Sequence, residues 1–180
     1  MRKLKNEELN RVSVDVFKKL EKVPVTIVLD NVRSMNNVGS AFRTSDAYLV
    51  EEILLCGITA QPPHREIHKT ALGATESVNW KYFENTDNAL QYLKSAGNKI
   101  ISIEQADKST ALNEFEPKPN DKYAFIFGNE VFGVSDEAIE DSDDVIEIPQ
   151  FGTKHSLNIS VSVGIILWDY YLKCKFFRTI

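Results

Sequence analysis

The chain has 180 residues, 43% of them apolar and 26% charged, and a formal net charge of −5. That profile belongs to a soluble globular domain large enough to bury a core, and it excludes a disordered or fibrous chain. No apolar run reaches the roughly 18–20 residues of a membrane span, and the start, MRKLKNEELN, lacks the apolar stretch of a signal peptide. Two cysteines, Cys56 and Cys174, and three scattered histidines offer neither a disulfide framework nor a metal spacing. A reducing, cytoplasmic setting without a metal is therefore expected.

The charge is unevenly spread. Asp136, Glu137, Glu140, Asp141, Asp143, Asp144 and Glu147 fall in one short stretch, and setting these seven aside leaves the rest of the chain at +2. An acidic lobe beside a mildly basic remainder is compatible with a local nucleic-acid face.

In chain order, residues 6–21 read as a helix with an imperfect apolar stripe from Leu9, Val12, Phe17 and Leu20. Val25–Asp30 follows as a strand whose unbroken apolar run suits burial on both faces. Asn36–Leu49 reads as a helix and Glu52–Cys56 as a second strand, where Cys56 should be a buried, inert thiol. Pro62 and Pro63 mark a loop, with a helical turn expected over Ile67–Leu72 and a short strand over Asn79–Phe83. Thr86 is placed to cap a helix that Gly97 ends. Lys99–Glu104 reads as a strand, and Gln105–Asn120 as a loop broken by Pro117 and Pro119. The strongly apolar strand Lys122–Phe127 runs into Gly128. A helix over Ser135–Asp141, a strand over Asp144–Ile148 and a long helix capped by Ser156 complete the chain. Alternating strands and helices imply an α/β domain with a mainly parallel sheet and helices on both faces. The expected division is a helical extension over 1–24 and one domain over 25–180.

In such sheets ligands bind beyond the carboxyl ends of the strands. Three blocks lie there: Asp30–Thr44, Phe127–Ser135 and Ile148–Ser160. In the first, Asn37 and Gly39 fit a helix start, and Arg43 is either a snorkelling surface cation or a guanidinium for a phosphate. In the second, Gly128 permits close approach of a ligand to the backbone, and Glu130 sits in a loop between two glycines. In the third, Asn158, Ser160 and Ser162 are polar positions in an otherwise core-bound helix. Buried polar groups need partners, which a ligand or a crossing backbone would supply.

The three blocks, NNVGSAFRT at 36–44, FGNEVFG at 127–133 and IPQFGTKHSLNISVSVGI at 148–165, resemble in order the three motifs of the SpoU/TrmH-type RNA 2′-O-methyltransferases of the SPOUT superfamily. Residues 69–74 and 102–105 add to the likeness, which runs from about Val25 to Tyr171. Gln150 and Val134 depart from the family's usual residues without touching a catalytic position. The resemblance implies an α/β sheet with a deep C-terminal trefoil knot, a homodimer whose active site is completed across the interface, and S-adenosyl-L-methionine as cofactor. It implies cofactor binding by the main chain at Gly128, Ile148 and Leu157, with Ile103, Glu104 and Gln105 lining the pocket. Arg43 matches the central catalytic arginine, and Asn37, Glu130, Ser156 and Asn158 its companions. Arg33, Arg65, Lys69, Lys154 and His155 are the cations and the histidine near these loops, and as a group the candidates for RNA binding.

A dehydrogenase would need G-x-G-x-x-G after the first strand and a P-loop enzyme G-x-x-x-x-G-K-[ST], and neither occurs. The remaining alternative is a non-catalytic RNA-binding protein with the same fold. Against it, Asn37, Arg43, Glu130, Ser156 and Asn158 are all intact. For substrate, the short N-terminal segment and the form of the first motif favour tRNA, at guanosine 18, over rRNA.

Overall fold

The run Val-Thr-Ile-Val-Leu lies within strand β1 (Val23–Asp30), which is flanked on both sides by parallel partners and buried at every residue but Pro24. The chain is described by a computed structural model covering residues 1–9 and 11–176. The remaining strands are β2 (Val50–Cys56), β3 (Asn79–Phe83), β4 (Asn98–Ile103), β5 (Thr110–Ala111), β6 (Lys122–Phe127) and β7 (Asp144–Glu147). They form one seven-stranded sheet in the order β3-β2-β1-β6-β4-β7-β5, with every pairing parallel. The two-residue β5 and the 3-10 turn Leu112–Glu114 interrupt the stretch expected to be loop throughout. Their shortness leaves no periodic signature in the sequence.

The helices are α1 (Val14–Lys19), α2 (Met35–Ala47), α3 (Arg65–Ala71), α4 (Ala74–Ser77), α5 (Thr86–Ser95), α6 (Asp136–Glu140) and α7 (Ile159–Cys174). Both faces of the sheet are covered, because alternate residues of a strand point to opposite sides. Val25, Ile27 and Leu29 enter a larger core with Val38 and Phe42 of α2, Ile67 of α3, and Val163, Ile166 and Leu167 of α7. Val28 enters a smaller one with Leu90 and Leu93 of α5 and Ala138 of α6.

Two local expectations are corrected. The stretch 6–21 is not one helix: a 3-10 turn at Asn6–Leu9 is followed by the separate α1, capped by Ser13. Residue 10 lies outside the described residues. The weak stripe explains this, since Leu9, Val12, Val14 and Val16 are exposed and only Phe17 reaches the larger core. The cap of α5 is Asn85, whose side chain accepts from the Asn88 N–H at 2.9 Å, not Thr86. Thr86 instead donates its hydroxyl to Asp30.

That bond belongs to a cluster which fixes the sheet's carboxyl edge. Asp30 is 1% exposed and accepts from Asn31 Nδ2 at 2.8 Å, from Thr86 Oγ1 and from the Ser135 N–H at 2.9 Å. A buried carboxylate is tolerated when its oxygens are satisfied in this way. The arrangement joins the end of β1 to the starts of α5 and α6. Among the described residues no helix is long and apolar enough to cross a membrane.

Candidate active site

The segment after β6 turns back on itself. Asn129 and Gly133 exchange backbone hydrogen bonds of 2.8 and 2.9 Å, and Asn129 Oδ1 accepts from the N–H groups of Val131 and Phe132 at 2.9 and 3.2 Å. Asn129 Nδ2 donates to the Asn31 carbonyl at 2.7 Å, which pins the turn to the end of β1. Glycine is required at Gly128 because the chain's own return is so close: a Cβ there would lie 2.0 Å from the Gly133 carbonyl carbon and the Val134 nitrogen. The close return of the chain is thus a reason for glycine at Gly128 beside the expected approach of a ligand, and Gly128 does line the adjoining cleft. Gly133 has φ +73°, where side chains are strained, and a Cβ on it would meet Glu104 Oε2 at 2.2 Å.

Glu130, at the tip, reaches across to the start of α2. Its carboxylate accepts from the Arg33 and Ser34 N–H groups, each at 2.9 Å, and from Asn37 Nδ2 at 3.0 Å. Ser34 caps α2, so the negative charge sits where the helix dipole favours it. Burial pushes the Glu130 carboxyl up, but these donors outweigh it and hold the group below its ordinary range.

Asn37 also accepts from Asn158 Nδ2 at 3.2 Å. One chain of side-chain bonds, Glu130–Asn37–Asn158, thus joins the three sequence blocks. Asn158 is the cap of α7, since its Oδ1 accepts from the Ser160 N–H at 2.9 Å and from Ser160 Oγ at 2.6 Å. The expectation that Ser156 caps this helix is therefore corrected; Ser156 lies in the exposed segment before it. Ser160 and Ser162 find partners within their own turn, Ser162 Oγ donating to the Asn158 carbonyl at 3.4 Å, so neither calls for a ligand or a crossing chain. Gly152 and Gly164 have open space around them.

Beside this chain of bonds lies a cleft of about 720 Å³ at the carboxyl ends of β4, β6 and β7. All six positions expected at the cofactor line it: Ile103, Glu104, Gln105, Gly128, Ile148 and Leu157. Glu130, Ser156, Asn158 and His155 line it too. Glu104 braces the wall, accepting from the Gln105 N–H at 2.8 Å and the Val134 N–H at 3.1 Å, while Gln105 Nε2 donates to the His155 carbonyl at 2.9 Å. The carboxylates of Glu104, Glu130 and Asp136 against a single histidine make the lining suited to a cation of nucleoside size. Among the described residues no cluster of metal-ligating side chains occurs.

The other candidates stand apart. Arg43 is exposed on α2, outside the cleft lining, and no ion pair involves it among the described residues. Arg33 is exposed beside Glu130, and Lys154 is exposed in the segment before α7. Lys69 faces Glu66 across 3.6 Å on α3. Arg65 lines a second cavity with Pro62, Pro63, His64, His68 and Trp80. Sequence reasoning missed Asp136 and Phe132 as part of the cleft. Phe132 carried a signal, an aromatic between Glu130 and Gly133 in a turn.

The profile of the SpoU rRNA Methylase family matches residues 24–168. The 23S rRNA (guanosine-2′-O-)-methyltransferase RlmB of Neisseria meningitidis serogroup B is 31% identical over 85% of this chain, which spans 60% of that relative's length. The tRNA (guanosine(18)-2′-O)-methyltransferase of Aquifex aeolicus is 33% identical over 86% of this chain and 72% of its own. Among solved structures, the AdoMet-bound rRNA methyltransferase of Sinorhizobium meliloti superposes with a TM-score of 0.78 at 25% identity, covering 90% of this chain and 61% of that one.

Proposed function

The chain belongs to the SpoU rRNA Methylase family, and from that premise we propose that it transfers a methyl group from S-adenosyl-L-methionine to a ribose 2′-hydroxyl of RNA. The observation that carries the reading is the Glu130–Asn37–Asn158 chain at the rim of a cleft lined by all six expected cofactor positions.

The cleft fits the cofactor in size, and its acidic lining suits a positively charged sulfonium. When bound, S-adenosyl-L-methionine supplies a methyl group already activated for displacement. Main-chain groups at Gly128, Ile148 and Leu157 would hold it, with Ile103, Glu104 and Gln105 along the wall.

The residues' remaining task is to align the hydroxyl and stabilise the charge that develops on its oxygen. Arg43 is the group for that. A guanidinium offers five N–H donors in a planar fork and no acceptor, so it serves by gripping a phosphate and the developing alkoxide, while the hydroxyl proton passes to solvent water. Its absence from its own chain's cleft lining favours a homodimer in which Arg43 completes the site of the other copy. Val161, Trp168 and Leu172, exposed along one face of α7, would supply apolar surface for that contact. Glu130 and Asn158 act by positioning Asn37 and the start of α2. Ser156 lines the cleft that would hold the cofactor, and Arg33, Lys154 and His155, with Arg65 and Lys69 further off on α3, form the RNA-binding group. A C-terminal trefoil knot, a domain over 25–180 and a cytoplasmic setting complete the reading.

For the acceptor, tRNA at guanosine 18 is favoured, on the form of the first motif and the 33% identity to the Aquifex tRNA (guanosine(18)-2′-O)-methyltransferase. The test is to incubate purified protein and methyl-labelled cofactor with bulk tRNA and rRNA from cells lacking the gene, then map the label. Label at a tRNA ribose is the expected result, and label in rRNA alone overturns the choice of acceptor. Bound cofactor with no label in either RNA would favour the non-catalytic alternative.

A further inference from the structure

The turn Asn129–Gly133 presents Val131, 65% exposed, and Phe132, 84% exposed, at its tip, although both line the cleft. Two adjacent apolar side chains so exposed at the mouth of a cleft form an apolar patch at a place where a ligand can cover it. The presentation is also rigid. Asn129 Oδ1 holds the Phe132 N–H at 3.2 Å, the Asn129–Gly133 pair closes the turn, and Glu130 locks the tip to α2. The entropy of ordering this platform is therefore met in the free protein. The Arg33 backbone N–H donates to Glu130 at 2.9 Å, so the tip is tied to the main chain of an exposed arginine that has no ion pair among the described residues.

An exposed ring on a turn that is bonded to the backbone of an exposed arginine, at the mouth of a cleft for the methyl donor, matches one occupant: a nucleotide with its base unstacked. We infer that Phe132 is the stacking platform for the nucleobase of the acceptor nucleotide; this rests on the reading of the chain as an RNA methyltransferase. The ring's position outside the buried wall, on the rim, assigns it to the acceptor and not to the cofactor's adenine.

Base–aromatic stacking is large enough that Phe132→Ala should raise the KM for RNA by about fivefold to a hundredfold. Phe132→Trp should retain the wild-type value, and Phe132→Leu, apolar but without a π face, should behave like Phe132→Ala. The cofactor Kd, read by calorimetry, should stay unchanged in all three. An unchanged KM in Phe132→Ala overturns the inference, as does a loss that follows the cofactor Kd or follows dissociation of a dimer on sedimentation. A direct arm needs no turnover: RNA should quench the extra fluorescence of Phe132→Trp over wild type, and no quenching overturns the inference. If wild type methylates no RNA while that quenching occurs, the functional reading fails and the stacking site stands.

Discussion

Asn37 donates to Glu130 at 3.0 Å and accepts from Asn158 at 3.2 Å, so both ends of one amide are committed to different segments of the chain. Only a side chain with a donor and an acceptor can do this. Asn37→Asp would set a carboxylate against Glu130. It should destabilise the fold by about 1–3 kcal/mol through the lost bond and like-charge contact, and abolish methyl transfer. Thermal unfolding beside initial rates checks both, and a variant of unchanged Tm and rate would show that the relay carries no weight.

Glu130 gives the pH dependence. Its folded-state pKa lies below the ordinary 4.5, so its contribution to stability is present above that value and is lost as pH falls through the lowered one. Wild type should lose Tm on acidification below about pH 4.5 more steeply than Glu130→Gln. Parallel Tm–pH curves for the two proteins would refute this.

Gly128 and Gly152 separate a glycine the chain requires from one it does not. A Cβ at Gly128 meets backbone at 2.0 Å, whereas one at Gly152 meets nothing within 4 Å. Gly128→Ala should therefore cost about 3 kcal/mol or more, as overpacking against immovable atoms does. Gly152→Ala should fall within about 0.5 kcal/mol of wild type. Chemical denaturation at a fixed temperature measures both.

Arg43→Lys keeps the charge and loses the planar fork. If bidentate geometry is what the reaction needs, the single-turnover rate should fall about a hundredfold, with cofactor affinity unchanged. A near-normal rate would leave charge alone as the requirement.

The placement of Arg43 adds a test of assembly. Mixing Arg43→Ala with a cofactor-cleft variant such as Ile148→Trp should restore activity that neither has alone, because one site in each mixed dimer would be whole. No recovery, with exchange of subunits verified by sedimentation, would place Arg43 on its own chain's site.

Much of the architecture was legible because its signals are collective. A five-residue apolar run bounded by turn residues suffices to identify β1, and Gly97, at φ +78°, ends α5 where expected. Single polar residues were harder. Ser156 and Asn158 both suit a helix start, and sequence cannot say which side chain reaches an N–H; the structure gives it to Asn158. Thr86 and Asn85 pose the same ambiguity and resolve the same way, because Thr86 is claimed by Asp30. Gly128 was legible as essential, but its steric reason was not, since the atoms it avoids belong to residues five and six positions on. The six positions expected at the cofactor, which rested on the resemblance, fall at one cleft, and Arg43 stands outside its lining.

Asp30 has one more effect, on a residue that takes no part in the chemistry. Burial first, and the neighbouring Asp30 second, push the Cys56 thiol up to about 12, so no appreciable thiolate exists at neutral pH for an alkylating reagent to find. Cys56 pairs in register with Asp30 at the edge from which the candidate site is built. Its modification must wait until that edge opens. The protein thus carries an internal clock: the rate at which Cys56 is alkylated reports how often the sheet parts there, and how far a bound ligand slows it.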